Sequence, residues 1–118
     1  MYTCPCCGHE TFESPPGSFD ICPICFWEDD ALQLRDPFSA GGANHVSLAQ
    51  AQVGYVQFGA CRRDMVAHVR SARADEAVDP RWFPLWERRI EIADIEDRDP
   101  DRHSPRAICY WSGSTPQG

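Results

Sequence analysis

Two short stretches decide how this chain is read: Cys4-Pro5-Cys6-Cys7-Gly8 and Cys22-Pro23-Ile24-Cys25-Phe26. Both follow the pattern C-P-x-C, and fourteen residues separate Cys7 from Cys22. Two residues between paired cysteines allow a tight turn that aims both sulfurs at one ion about 2.3 Å away. Proline after the first cysteine pre-sets that turn. Glycine after the second relieves crowding there. Two such turns facing each other complete a tetrahedron, so Cys4, Cys7, Cys22 and Cys25 are the expected metal ligands. Four thiolates with no open position describe a structural Zn²⁺ site. Iron takes the same ligands in a rubredoxin-like site, and spacing alone does not separate the two metals.

Working outward, Glu13-Ser14-Pro15-Pro16-Gly17-Ser18 is a turn-rich link between the cysteine pairs. Thr11-Phe12 before it and Phe19-Asp20-Ile21 after it are expected to pair as a hairpin. Asp36-Pro37 and Gly41-Gly42 mark residues 35 to 46 as loop. Ser47 and Gln50 then match a capping box. Leu48, Ala51, Gln52, Tyr55 and Phe58 share one helical face, and Gly59 suits a left-handed cap. A second helical pattern covers about 63 to 73, with Met65, Val69 and Ala72 on one side. Asp79-Pro80 and Pro84 break the chain. Residues 85 to 95 read as helix, although Ile90 to Ile95 alternates almost like a strand. Ala107 to Trp111 is a short apolar stretch suited to a late strand or a docked tail. The run from Asp94 to Asp101 is acidic and expected at the surface, and Gly113 to Gly118 is expected to fray.

The expected fold class is therefore small α+β, a zinc-ribbon-like β-hairpin module packed on a few short helices. Residues 1–34 form the metal module, 35–96 a mainly helical part of the same domain, and 97–118 an acidic segment and tail. The chain's 118 residues suffice for one modest core.

Composition narrows the function classes. Seven cysteines are an odd count, poorly suited to full disulfide pairing, and point to metal or redox chemistry in a reducing compartment. No apolar run approaches the ~20 residues of a membrane helix. The first thirty residues carry four prolines and six acids, unlike a signal peptide. A cytoplasmic protein is expected. The net charge is −7, and residues 1 to 34 contain neither Arg nor Lys. Such a surface repels phosphate, which disfavours a nucleic-acid-binding ribbon. It suits a basic protein partner. The chain has no lysine, which excludes Schiff-base and phosphate-loop lysine chemistry.

No catalytic set emerges. His9-Glu10 lacks the second histidine of H-E-x-x-H, and Pro5-Cys6 fails the deaminase pattern. No G-x-S-x-G elbow occurs. His45, His68 and His103 are scattered, and Cys61 with His68 is a weak nucleophile pair. The reading is non-enzymatic. Cys6 reads as a bystander inside the first knuckle, with a reactive thiol as its sharper alternative. Cys61 and Cys109 read as buried small hydrophobes. For Phe26-Trp27-Glu28-Asp29-Asp30, packing of Phe26 and Trp27 over the metal site, with the acids solvated or capping a following turn, is weighed against acids that bind a cationic partner or a second metal. Trp82, Phe83 and Trp86 are expected to supply core and contact face.

The chain also resembles the bacterial cysteine-rich CPCC proteins. The carrying residues are Cys4 to Gly8, Pro16-Gly17-Ser18 and Ile21 to Asp30, continuing through Asn44, Ser47-Leu48, Ala51, Tyr55 and Phe58 to Cys61. The resemblance spans roughly residues 2 to 70. It implies a small zinc-ribbon-like protein without an established enzymatic activity, and by gene neighbourhood an immunity-type role against a co-encoded toxin. The rival readings are a metal-handling or thiol-redox protein using the C-x-x-C knuckles, and the disfavoured nucleic-acid-binding ribbon. No partner, oligomeric state or pathway is legible.

Overall fold

A computed structural model describes residues 1–91 and 109–112 of the chain. Each cysteine pair closes its own small hairpin. Strand β1 (Tyr2–Thr3) pairs antiparallel with β2 (Glu10–Phe12), placing Tyr2 opposite Phe12 and Thr3 opposite Glu10, with a bulge between the two pairs. The first knuckle lies between these strands. The second is held the same way, by an Ile21–Glu28 bridge and by bonds from Phe19 N–H to Asp29 O and from Asp29 N–H to Asp20 O. The expected pairing of Thr11-Phe12 with Phe19 to Ile21 is therefore replaced. The sharp C-P-x-C turns reverse the chain themselves, so each strand meets the one on the other side of its own knuckle.

Asp30 opens a five-residue helix, α1 (Ala31–Arg35), by accepting from Leu32 N–H at 2.8 Å. Residues 36 to 46 follow without regular structure, as the Pro and Gly punctuation required. Helix α2 (Leu48–Phe58) has the full capping box. Ser47 Oγ accepts from Gln50 N–H, and Gln50 Oε1 accepts from Ser47 N–H. Gly59 ends it at φ 78°. Leu48, Ala51 and Gln52 are buried, while Tyr55 and Phe58 lie half-buried on the same side.

Two helical expectations are corrected. Over 63–73 only a 3-10 helix forms, Arg63–His68. Val69 is already extended, because Arg70 N–H donates to Pro23 O and pulls the chain onto the second knuckle. Residues 85 to 91 form no helix. Leu85 N–H is taken by Gln52 Oε1 at 2.7 Å, and a turn closes from Glu87 N–H to Pro84 O. Residues 92 to 95, the acidic run's remainder and Gly113 to Gly118 lie outside the described residues. Cys109, Tyr110 and Trp111 are buried, so this part of the apolar C-terminal stretch is a docked tail.

The core gathers around the cysteines. Phe12, Ile24, Trp27, Leu34, Leu48, Ala51, Phe83, Tyr110 and Trp111 form one cluster with the knuckles. Trp27 is fully buried. Phe83, Tyr110 and Trp111 stack edge to face, with ring centroids 5.2 and 4.9 Å apart. Among the described residues no helix is long and apolar enough to cross a membrane.

Candidate metal centre

The two knuckles repeat one backbone design. In the first, Gly8 N–H donates to Cys4 O at 2.8 Å and Cys4 N–H to His9 O at 2.9 Å. In the second, Phe26 N–H donates to Cys22 O at 2.8 Å and Cys22 N–H to Trp27 O at 2.9 Å. Both turns end on a left-handed residue, Gly8 at φ 79° and Phe26 at φ 70°. Glycine adopts that region freely; for a side chain such as Phe26 it costs about 1–2 kcal/mol.

These turns bring the sulfurs of Cys4, Cys7, Cys22 and Cys25 within 4.8 Å of one another. Cys4 and Cys25 Sγ are 3.5 Å apart, and Cys7 and Cys22 Sγ 3.8 Å. A tetrahedron with metal–sulfur bonds of about 2.3 Å has edges of about 3.8 Å. The donor set therefore fits a four-thiolate metal site, and the four expected residues are the ones brought together. All are buried, at 0 to 4% exposure. Burial pushes the Cys4 and Cys25 thiols well up, whereas hydrogen bonds from Cys25, Cys4 and Cys7 pull Cys22 well down. Ile24 N–H also faces Cys22 Sγ at 3.4 Å. Four such groups become thiolates together only around a cation, which supplies the charge that burial withholds.

The surrounding side chains brace the turns. Pro5 O accepts from Gln52 Nε2 at 3.0 Å and Trp82 Nε1 at 2.9 Å. Gln52 also donates to Tyr110 Oη, whose hydroxyl donates to Phe83 O. The buried Gln52 thus joins knuckle, helix, the 83–85 segment and tail, a role that helical periodicity alone had marked only as core. Trp82 lies directly over Gly8: a Cβ there would stand 2.4 Å from its ring. Further along, Thr3 Oγ1 donates to Asp79 at 2.6 Å and His9 pairs with Val78. Glu76 accepts from Thr11 and Arg70, which hold its carboxyl down at about 2, Arg70 foremost.

Around the second knuckle the acids turn inward. Asp29 Oδ2 accepts from Gly17 N–H, Ser18 N–H and Ser18 Oγ, while burial raises its carboxyl pKa. Asp30 caps α1 and accepts from Ala43 N–H. Asn44 bonds Glu28 at both N–H and C=O and donates to Gln33. Asp29 and Asp30 are therefore bound into the fold: Asp30 caps the following turn as the packing reading expected, whereas Asp29 is buried, not solvated, and holds the preceding turn. Asn44 was legible only as part of the resemblance.

Cys6 is buried beside the cluster but outside the four-sulfur set, and burial raises its thiol. Cys61 and Cys109 are buried, their thiols pushed up to about 12 by desolvation. They behave as small hydrophobes, as expected. Cys61 N–H donates to Cys25 O at 2.7 Å, so it also ties the chain after α2 to the second knuckle. Phe83 is buried and Trp82 half-buried, whereas Trp86 is 58% exposed.

The family model described as Cysteine-rich CPCC matches residues 2–76, which contain all four clustered cysteines. The chain belongs to the cysteine-rich CPCC family. Within this CPCC chain, the match ends where the segment that braces the first knuckle from outside, 76 to 82, begins. A comparison with curated proteins returns no match.

Proposed function

We propose that the chain is a non-catalytic, zinc-stabilised protein that works by binding another protein. The observation that carries the metal part is the buried set of Cys4, Cys7, Cys22 and Cys25 sulfurs within 4.8 Å. Four thiolates around one ion leave no position for water or substrate, so the ion's role is to tie two hairpins that have little core of their own. Zinc is preferred because this tetrahedron is its ordinary structural site; iron takes the same ligands.

The partner half rests on charge and on the resemblance. The chain carries −7 overall, and its first 34 residues have no cation to balance Glu10, Glu13, Asp20 and Glu28. Phe19 and Ile21 add apolar surface there, at 56 and 48% exposure. An acidic face with exposed apolar residues suits a basic protein. The sharper form of the proposal is an immunity-type protein that neutralises a basic, co-encoded toxin. The redox alternative is less favoured, because Cys6 is 1% exposed and its thiol is raised, the reverse of a reactive thiolate.

Elemental analysis of the purified full chain tests the metal part. One zinc per chain is the expected result; iron, or no metal after reconstitution with intact thiols, would refute it. A tagged pull-down from the native host tests the other part. A stoichiometric basic partner is expected, and its absence would overturn the binding reading.

A further inference from the structure

Helix α2 buries Leu48, Ala51, Gln52 and Gly54 but leaves Val53 and Val56 43% and 70% exposed. Gly54 is fixed by close approach: a Cβ there would stand 2.7 Å from Cys61 O. The chain returning from α2 therefore lies tight against the helix and forms the floor of an open groove beside it. That groove has a volume of about 600 Å³, and its walls are Val46, Ala49, Val53, Phe58, Cys61 and Arg63. The lining is mostly apolar.

Two arginines, Arg62 and Arg63, also line it. Arg62, Arg70, Arg88 and Arg89 each meet a carboxylate within 4.0 Å. Arg63 instead lies over the Phe58 ring, 4.8 Å from its centroid, with no carboxylate partner among the described residues. This ring contact holds an uncompensated guanidinium in the groove's lining. A mostly apolar trough that carries a cation complements an apolar segment that carries an acid. Helix α2 has eleven residues, about 16 Å, and so offers room for two to three turns of a second helix laid alongside.

We propose that this groove docks an amphipathic helix of a partner protein, apolar along one stripe and carrying an Asp or Glu that meets Arg63. The proposal rests on the protein-binding reading and names one contact within it. The groove and the acidic knuckle face select different segments, an acid-bearing helix for one and a basic surface for the other.

The test pans a displayed library of short helix-forming peptides against the zinc-loaded full chain. Enriched peptides are expected to share apolar residues at i, i+4 and i+7 and a carboxylate. Val53→Glu should weaken them at least tenfold. Arg63→Glu should weaken them about tenfold, and replacing the peptide's acid by Arg should restore binding to that variant. Both substitutions are at exposed positions, and circular dichroism should show an unchanged fold. Peptides without that pattern, or binding indifferent to both variants, would overturn the proposal. So would a dimer of the chain alone that Val53→Glu dissociates, since the occupant would then be a second copy. In the pull-down, a partner retained by the double variant overturns the groove and spares the binding reading. A partner captured by neither protein overturns the reading itself.

Discussion

The two knuckles share a backbone but not their support. The second is braced from nearby in the chain: Asp29 gathers residues 17 and 18, Asp30 caps α1, and Asn44 clamps Glu28. Arg70 on Pro23 O, Cys61 on Cys25 O and His68 against the Phe26 ring come from further away. The first is braced almost entirely from afar, by Gln52, Trp82, Asp79 and Glu76, at separations of 47 to 77 residues. One half of the metal centre is thus set by local chain chemistry, and the other by the closing of the whole fold. The residue after each second cysteine records the difference. Gly8 is glycine because Trp82 is packed on it, whereas Phe26 tolerates the same φ because its ring meets His68 at 5.3 Å instead.

The largest expected effect treats the knuckles as equals. Cys4→Ser and Cys22→Ser should each release the metal and unfold the residues around both hairpins, since a shared ion cannot be half held. Loss of the thermal transition and of bound metal in both variants is the expected outcome. A normal melting curve in either would show that its cysteine is no ligand. Cys6→Ser should keep the metal.

Next comes Gly8→Ala, which should cost about 2–4 kcal/mol, from left-handed strain together with overpacking against Trp82. Phe26→Gly should cost less than Phe26→Ala by about 1 kcal/mol, because glycine relieves the strain that alanine keeps. Denaturant melts of the three variants check this order. Equal costs at both sites would erase the distinction drawn between the knuckles.

Gln52→Ala should cost about 2–3 kcal/mol by leaving Leu85 N–H and Tyr110 Oη short of partners. It should also loosen Trp111, seen as a red shift in tryptophan emission, while the metal stays bound. An unchanged spectrum would separate the tail from the first knuckle.

The smallest effect depends on pH. The Glu76 carboxyl is held at about 2, below its ordinary 4.5, chiefly by Arg70. A depressed carboxyl adds stability above its unfolded value and loses it as pH falls toward the folded one. Glu76→Gln should therefore be slightly less stable than the parent at neutral pH, with the gap narrowing from pH 4.5 to about 2. A constant gap would mean that the Glu76 charge does not brace the first knuckle.

The two cysteine turns and helix α2 were legible because their signals are local. C-P-x-C spacing, the Ser47–Gln50 box and the Gly59 cap each act within a few residues of themselves, and all three are realised. The acids before Ala31 to Arg35 were read as solvated or as caps of a following turn, and Asp30 caps the five-residue helix there. Of the helix expected over 85 to 95, the described residues 85 to 91 form none. Leu85 is buried from a turn closed by Glu87 N–H on Pro84 O, whereas Trp86 and Arg89 of the same spacing are exposed.

By itself the sequence determined the four cysteines that cluster, the two turns that carry them and helix α2, since the geometry of paired cysteines and capping operate at short range. Tertiary structure alone decided which segments close over those turns. Trp82 on Gly8, Gln52 on Pro5 and the tail on Gln52 join residues dozens of positions apart, and burial selects such partners only once the chain has folded back on itself.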